Sequence, residues 1–219
     1  MSHSAYPVKT DISTFLNSIE GITVPSGYDC QKAIDAAIAE IERVTEYSPF
    51  LSTGATAARP YDPPGPYTPR PRRGGGRTLR LGAGLISCAS VTIGTDNAST
   101  QQVLTVNEDF YLWPSNAPYH AVPRPYTAIE FFAVQWGYPR SISVNGVWGF
   151  STTLPDDVWQ AAIYLASSYV VTDFLEGIFN SPSSVKDDDV TITQDFDTNL
   201  GVAWSKKAHD TLHAYTLIS

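Results

Sequence analysis

Helical periodicity occurs on both sides of a long β-textured block, and this arrangement limits the folds open to the chain more than any single motif. Between Asp29 and Tyr47 the apolar residues Ala33, Ile34, Ala37, Ile38, Ile41 and Val44 recur at i, i+3, i+4 and i+7, one buried stripe, with Asp35, Glu40, Glu42 and Arg43 on the other side. A shorter helix is predicted from Thr10 to Ile19, with Thr10 and Asp11 as capping residues, Phe15, Leu16 and Ile19 as its apolar face and Gly21 as its stop. From Thr78 to Phe150 the texture changes to short β-branched or aromatic runs separated by Gly, Asn, Pro and Ser: Leu79–Leu81, Leu85–Ile93, Gln102–Val106, Phe110–Trp113, Ala128–Val134 and Ser141–Trp148. Helical period returns at Pro155, where Asp156 and Asp157 suit the positive end of a helix dipole. Val158, Ala161, Ala162, Leu165, Tyr169, Thr172 and Leu175 then trace a core stripe to about Phe179. After Ser181-Pro182-Ser183-Ser184, an acidic turn and one strand are expected over Lys186–Phe196, followed by a last helix from Asn199 to Tyr215 with Trp204, Ala208, Leu212 and Tyr215 on one face. Each helix has one apolar face and needs another helix to cover it, so the two ends of the chain must pack together.

The implied fold class is α+β: a helical bundle core of three to four helices, an inserted antiparallel β region and an extended Pro/Arg-rich arm. The helical core is assigned to residues 1–57 and 154–219, the arm to 58–77 and the β insertion to 78–153. Arg59 to Arg73 holds six prolines in fifteen residues and is followed by Gly74-Gly75-Gly76. Proline fixes φ and removes donors, so this stretch excludes a helix or a central strand and implies a polyproline-like arm with a glycine hinge. Asn145-Gly146 is a hairpin signal inside the last β run.

Charge divides the same way. Residues 59–80 carry six arginines and one acid, a local +5 within a chain of −8, which leaves −13 for the remainder. An acidic body repels nucleic acid, so sequence-specific DNA binding is not expected, while the basic arm suits an acidic partner. No run reaches the ~18 apolar residues of a membrane span. The N-terminal MSHSAYPVKTDI does not read as a signal peptide, so synthesis in a reducing cytoplasm is expected, with Cys30 and Cys88 as small buried hydrophobes and no disulfide.

Motifs with chemical meaning are weak. His209 and His213 have the helical spacing of a metal pair but lack a third ligand nearby, and a solvated helix face is the expectation. Asp187, Asp188 and Asp189, with Asp195 and Asp197 beyond, lack the EF-hand spacing and read as a solvated turn or an acidic face. Arg72-Arg73-Gly74-Gly75-Gly76-Arg77 lacks the Gly-Lys-Ser/Thr end of a phosphate loop, and Gly82-Ala83-Gly84 is no dinucleotide fingerprint. Pro63, Pro66 and Pro69 give PxxP spacing without the arginine that SH3 ligands commonly place beyond it. No nucleophile–base arrangement and no G-x-S-x-G elbow occur, so no catalytic residue, metal or cofactor is assigned. The tryptophans 113, 136, 148, 159 and 204 read as core or interface ahead of a sugar platform.

Five segments in order carry a family resemblance: the short N-terminal helix, AIDAAIAEIERVTEY (33–47), GGGRTLRLGAGLISCASVTI (74–93), VNGVWGF followed by LPDDVWQAAIYLA (144–166), and the closing DDVTI…HDTLHAYTLI. Their collinear run over nearly the whole chain resembles the head-tail connector (adaptor, head-completion) proteins of tailed bacteriophages. The resemblance implies that 141–149 is one continuous strand despite Asn145-Gly146. It further implies a non-enzymatic virion protein of the neck, forming a ring of typically twelve copies between portal and tail, with DNA passing through and no membrane partner. On that reading Tyr67, Arg70, Arg72, Arg73 and Arg77 are candidate subunit or partner contacts, and Asp187, Asp188 and Asp189 a candidate face lining the DNA channel. The Pro/Arg arm departs from the family by its length and proline content. A carbohydrate- or peptide-binding module carried by the β region is the alternative.

Overall fold

A computed structural model describes residues 2–19, 22, 24, 27–64, 77–94, 101–119, 124–132, 141–180 and 199–216. The chain divides into two compact units, one built from residues 1–46 and 153–216 and the other from 47–152. The protein is α+β, with helices in the first unit and an antiparallel sheet in the second.

In the helical unit, α1 (Lys9–Asn17), α2 (Gln31–Thr45), α3 (Asp156–Asn180) and α4 (Asn199–Leu212) are joined by a two-residue pairing of β1 (Ser2–His3) with β8 (Leu154–Pro155). α3 packs against each of the other three helices. The expected single stripe on α3 is therefore too narrow. Val158, Ala161, Ala162 and Leu165 are buried as expected, but so are Ile163, Ala166, Ser167, Ser168, Val170 and Val171, whereas Thr172 is exposed and Tyr169 half-buried. A helix enclosed by three neighbours exposes no residue fully between Val158 and Val171, and its alanines and serines let those neighbours approach. No helix among the described residues is long and apolar enough to cross a membrane.

The predicted stripe of α2 is buried at Ala33, Ile34, Ala37 and Ile41, and that of α4 at Trp204, Ala208 and Leu212. Tyr215, buried too, lies in a 3-10 turn (His213–Tyr215) that follows α4. On α1 the buried residues are Ile12 and Leu16. Its start also differs from expectation: the helix begins at Lys9, and the Asp11 carboxylate accepts the Val8 N–H at 2.8 Å, so Asp11 caps from inside the first turn. Pro155 ends β8 ahead of α3 and is not a residue of its first turn.

The second unit is one sheet in the order β2 (Thr56–Tyr61), β7 (Ile142–Trp148), β3 (Arg77–Gly94), β6 (Tyr126–Phe131), β5 (Phe110–Trp113), with β4 (Gln101–Leu104) paired to the far end of β3. The two runs expected within 79–93 are one strand, which pairs with β6 through Arg77–Arg80 and with β7 from Leu85 to Ile93. Register shifts between Arg80 and Leu85, together with Gly82 at φ +60°, bend this strand. One face of the sheet closes on a core of Leu79, Leu81, Leu85, Val91, Ile93, Phe110, Ile129, Phe131, Ile142, Val144 and Trp148.

Asn145-Gly146 lies inside β7, as the family resemblance implied. Asn145 pairs with Ala58 on one side and Ser90 on the other, and Gly146 with Ala57 and Cys88, so both strand edges are occupied and no reversal is possible. A Cβ on Gly146 would collide with the Ser87 carbonyl oxygen and stand 2.6 Å from Leu85 Cδ1. Glycine is required there for close approach of two strands. Arg59, Pro60 and Tyr61 of the proline-rich stretch form the end of β2, an edge strand, where a missing N–H is tolerated. The expected strand over Lys186–Phe196 lies outside the described residues. Cys30, buried at the start of α2, and Cys88, on β3, are free thiols whose pKa values burial pushes up.

Candidate functional site

The Val147-Trp148-Gly149-Phe150 segment ties the sheet to the chain that enters it. The Trp148 indole N–H donates to the Ala57 carbonyl at 2.7 Å, and the Arg59 guanidinium lies 4.4 Å from the Trp148 ring centroid, a cation–π contact. Tyr61 packs beside the same ring and donates its hydroxyl to the Leu81 carbonyl at 2.9 Å; burial raises its pKa. The β2 strand from Ala57 to Tyr61 is thus fixed by Trp148. Gly149 has φ +133°, and its N–H donates to the Gly84 carbonyl at 2.9 Å. A Cβ there would lie 3.0 Å from the Pro49 oxygen, so backbone conformation and space both favour glycine. Phe150 stacks on Phe50 at 4.6 Å, with Tyr47 edge-on at 5.3 Å, and burial pushes the Tyr47 hydroxyl up to about 12.

The Leu154-Pro155-Asp156-Asp157 segment organises the helical unit in the same manner. Asp156 meets His3 Nε2 at 2.9 Å while the His3 ring stacks on Trp159 at 4.3 Å. Asp157 accepts the Tyr215 hydroxyl on both oxygens at 2.7 Å, and desolvation together with this bond raises the tyrosine pKa. Both ends of the chain therefore close onto the first turn of α3.

His209 does not lie on a solvated face as expected. Its Nε2 is 2.7 Å from Glu40 on α2 and its Nδ1 is 2.7 Å from the Ser205 carbonyl. Both acceptors call for a proton, so the ring is an imidazolium bridging α4 to α2. Arg43 donates two bonds to the same carboxylate at 2.7 Å. These bonds, Arg43's foremost, hold the Glu40 carboxyl near 2, and the Glu40 bond raises the His209 pKa. With both nitrogens engaged, His209 does not pair with the exposed His213 as a ligand, and no group of three candidate metal ligands occurs among the described residues.

The helical unit also holds an open cleft of about 480 Å³ lined by Tyr28, Lys32, Ala33, Ala36, Tyr169 and Thr172. At its rim the Tyr28 hydroxyl donates to Asp173 at 2.6 Å, and Lys9 pairs with Asp29 at 2.5 Å. Sequence reasoning missed these residues because the pairs span up to 145 positions and leave no local pattern.

Of the candidate contacts, Tyr67, Arg70, Arg72 and Arg73 lie outside the described residues, as do Asp187, Asp188 and Asp189. Arg77 opens β3, opposite Phe131. Four tryptophans are described: Trp148 and Trp204 are buried and Trp159 half-buried, but Trp113 on β5 is 51% exposed. It shares the outer face of β5 with Tyr111, which is 47% exposed and meets Phe132 edge-on at 4.5 Å.

No family model matches this chain, and no curated protein matches it. Among solved structures, it is similar to a chain from the neck of an empty GTA particle computed with C6 symmetry, at 18% identity and a TM-score of 0.44 over 93% of this chain and 94% of that one.

Proposed function

We propose that this chain is a structural subunit of a tailed-phage neck, a head-tail connector that forms a ring on the portal, receives tail components on its other side and lets DNA pass without sequence-specific contact. The observation that carries this reading is the collinear motif order, in which Val147-Trp148-Gly149-Phe150 closes β7, the last strand of the sheet, and Leu154-Pro155-Asp156-Asp157 leads into the long helix α3. In the fold both motifs are structural ties: one fixes β2 and the other gathers the chain ends onto α3. An acidic body suits passage of DNA, because like charge keeps phosphate from adhering. Portal binding, a tail partner, about twelve copies and a place at the head-tail junction of the virion all belong to this proposal.

The test is native mass measurement and electron microscopy of the purified protein alone and mixed with a portal ring. Twelve copies of a 23.9 kDa chain should add about 290 kDa to the portal, with closed cyclic symmetry. Isolated copies on the portal, or no binding, would refute the assignment.

A further inference from the structure

We infer that the open cleft of the helical unit receives α4 of a neighbouring copy, an inference that rests on the proposed assembly of copies side by side. The cleft runs between α2 and α3. Lys32 stands in the first turn of α2 with Ala36 one turn further in, and Asp173 stands one turn beyond Tyr169 on α3. Tyr28, just ahead of α2, bonds Asp173 at 2.6 Å, so the charged residues Lys32 and Asp173 gather at one end and Ala36 and Tyr169 at the other. An open groove with an apolar end and a charged end fits one face of a helix, whose anchors recur at i and i+4.

Helix α4 presents such a face. Val202, Lys206 and Asp210 follow one another at i, i+4 and i+8, about 6 Å apart along the axis, and all three are exposed. Among the described residues of the helical unit, Val8 and Val202 are the large hydrophobic side chains left in water, and Val202 is 68% exposed. Lys207, beside this row, is engaged elsewhere: its ammonium donates to the Tyr164 hydroxyl at 3.0 Å and lies 4.7 Å from that ring's centroid.

The order of groups selects the occupant. Seated in the cleft, α4 sets Val202 against Ala36 and Tyr169, Lys206 a turn on at the Asp173 carboxylate, and Asp210 a further turn on at the Lys32 ammonium. Apolar then meets apolar and each charge meets its opposite. Tyr28 occupies Oδ2 of Asp173, and a carboxylate has acceptor sites to spare for a lysine. The chain's own α4 does not make this contact. It packs along α3, with Gly201 beside Ser168 and Lys207 on Tyr164, and it supplies no lining residue to the cleft. The donating and receiving faces are different surfaces of one unit, so the contact is heterologous, the kind that closes a ring when the rotation per copy allows.

Two measurements on the full chain test this. Isotopically heavy chains carrying Val202→Cys are mixed with light chains carrying Ala36→Cys under mild oxidation, with and without a portal ring, and the disulfide-linked products are mapped by mass spectrometry. Both positions are exposed, so neither substitution disturbs the core. Heavy–light links between positions 202 and 36 should dominate. Their absence from both mixtures, or homotypic links in equal amount, would overturn the inference. In the second measurement the light chain also carries Lys32→Glu, which brings like charges together. Linking should fall about fivefold or more, and should return to within about twofold when the heavy chain also carries Asp210→Lys. No fall, or a fall that this second reversal leaves in place, would overturn it. The two readings fail separately. Links of this kind without a portal-bound ring would sink only the neck assignment, and a normal portal-bound ring without them would sink only the docking surface.

Discussion

Truncating Leu165 probes the claim that α3 is the enclosed helix of its unit. Its side chain has no exposed surface. Leu165→Ala removes three carbons, about 2.4 kcal/mol at ~0.8 kcal/mol per buried methylene. The cavity left behind brings the expected loss to about 3–5 kcal/mol, because surrounding helices relax only in part. Alanine is at least as good a helix former as leucine, so the loss reports packing and not helix propensity. The assay is urea unfolding followed by far-UV circular dichroism. With a slope of about 2 kcal/mol/M, the midpoint should fall by roughly 1.5–2.5 M with the slope unchanged. Thr172→Ala is the control two turns further along α3: the residue is exposed, and its removal should shift stability by no more than about 0.5 kcal/mol. A Leu165→Ala shift no larger than the control's would refute the enclosed-helix reasoning.

The remaining expectations concern single contacts. Ser167 is fully buried in α3 and its hydroxyl has no hydrogen-bond partner among the described residues, so Ser167→Ala should stabilise the protein by up to about 1 kcal/mol in the same assay. The Glu40–His209 bridge should give a pH-dependent penalty for His209→Gln. His209 has a raised pKa, so its contribution is complete below 6.5 and fades as pH rises through the folded value; Glu40 is depressed, so its contribution is complete above 4.5 and fades as pH falls toward about 2. Urea midpoints across pH should therefore show the largest penalty between 4.5 and 6.5, and a penalty that does not shrink at alkaline pH would contradict the bridge. Gly146→Ala should cost about 1–3 kcal/mol or more, since its Cβ meets the Ser87 carbonyl and Leu85, and thermal melts of the variant would read the loss.

Period and punctuation were enough to determine the α+β class and the stripes of α2 and α4, and to place Pro60 outside any helix, whereas the continuous strand through Asn145-Gly146 followed from the family resemblance against a local hairpin signal. The features read from period and punctuation are local: a stripe needs only 3.6-residue spacing, and proline acts on its own backbone. The number of faces a helix buries is not local, and this is why α3 reads as one stripe in sequence but is enclosed on most sides by three neighbours. The same limit applies to His209, whose spacing from His213 suggests a surface pair while its partner, Glu40, lies 169 residues away. Sequence likewise marks Trp148 and Asp157 through their motifs, yet only the tertiary structure sets Trp148 against Ala57 and Arg59, and Asp157 against Tyr215. The outer face of β5 was legible only as a run of aromatics. Which of them face water was decided by the pairing of β5 with β6, because a one-residue change of register exchanges the buried and exposed sets.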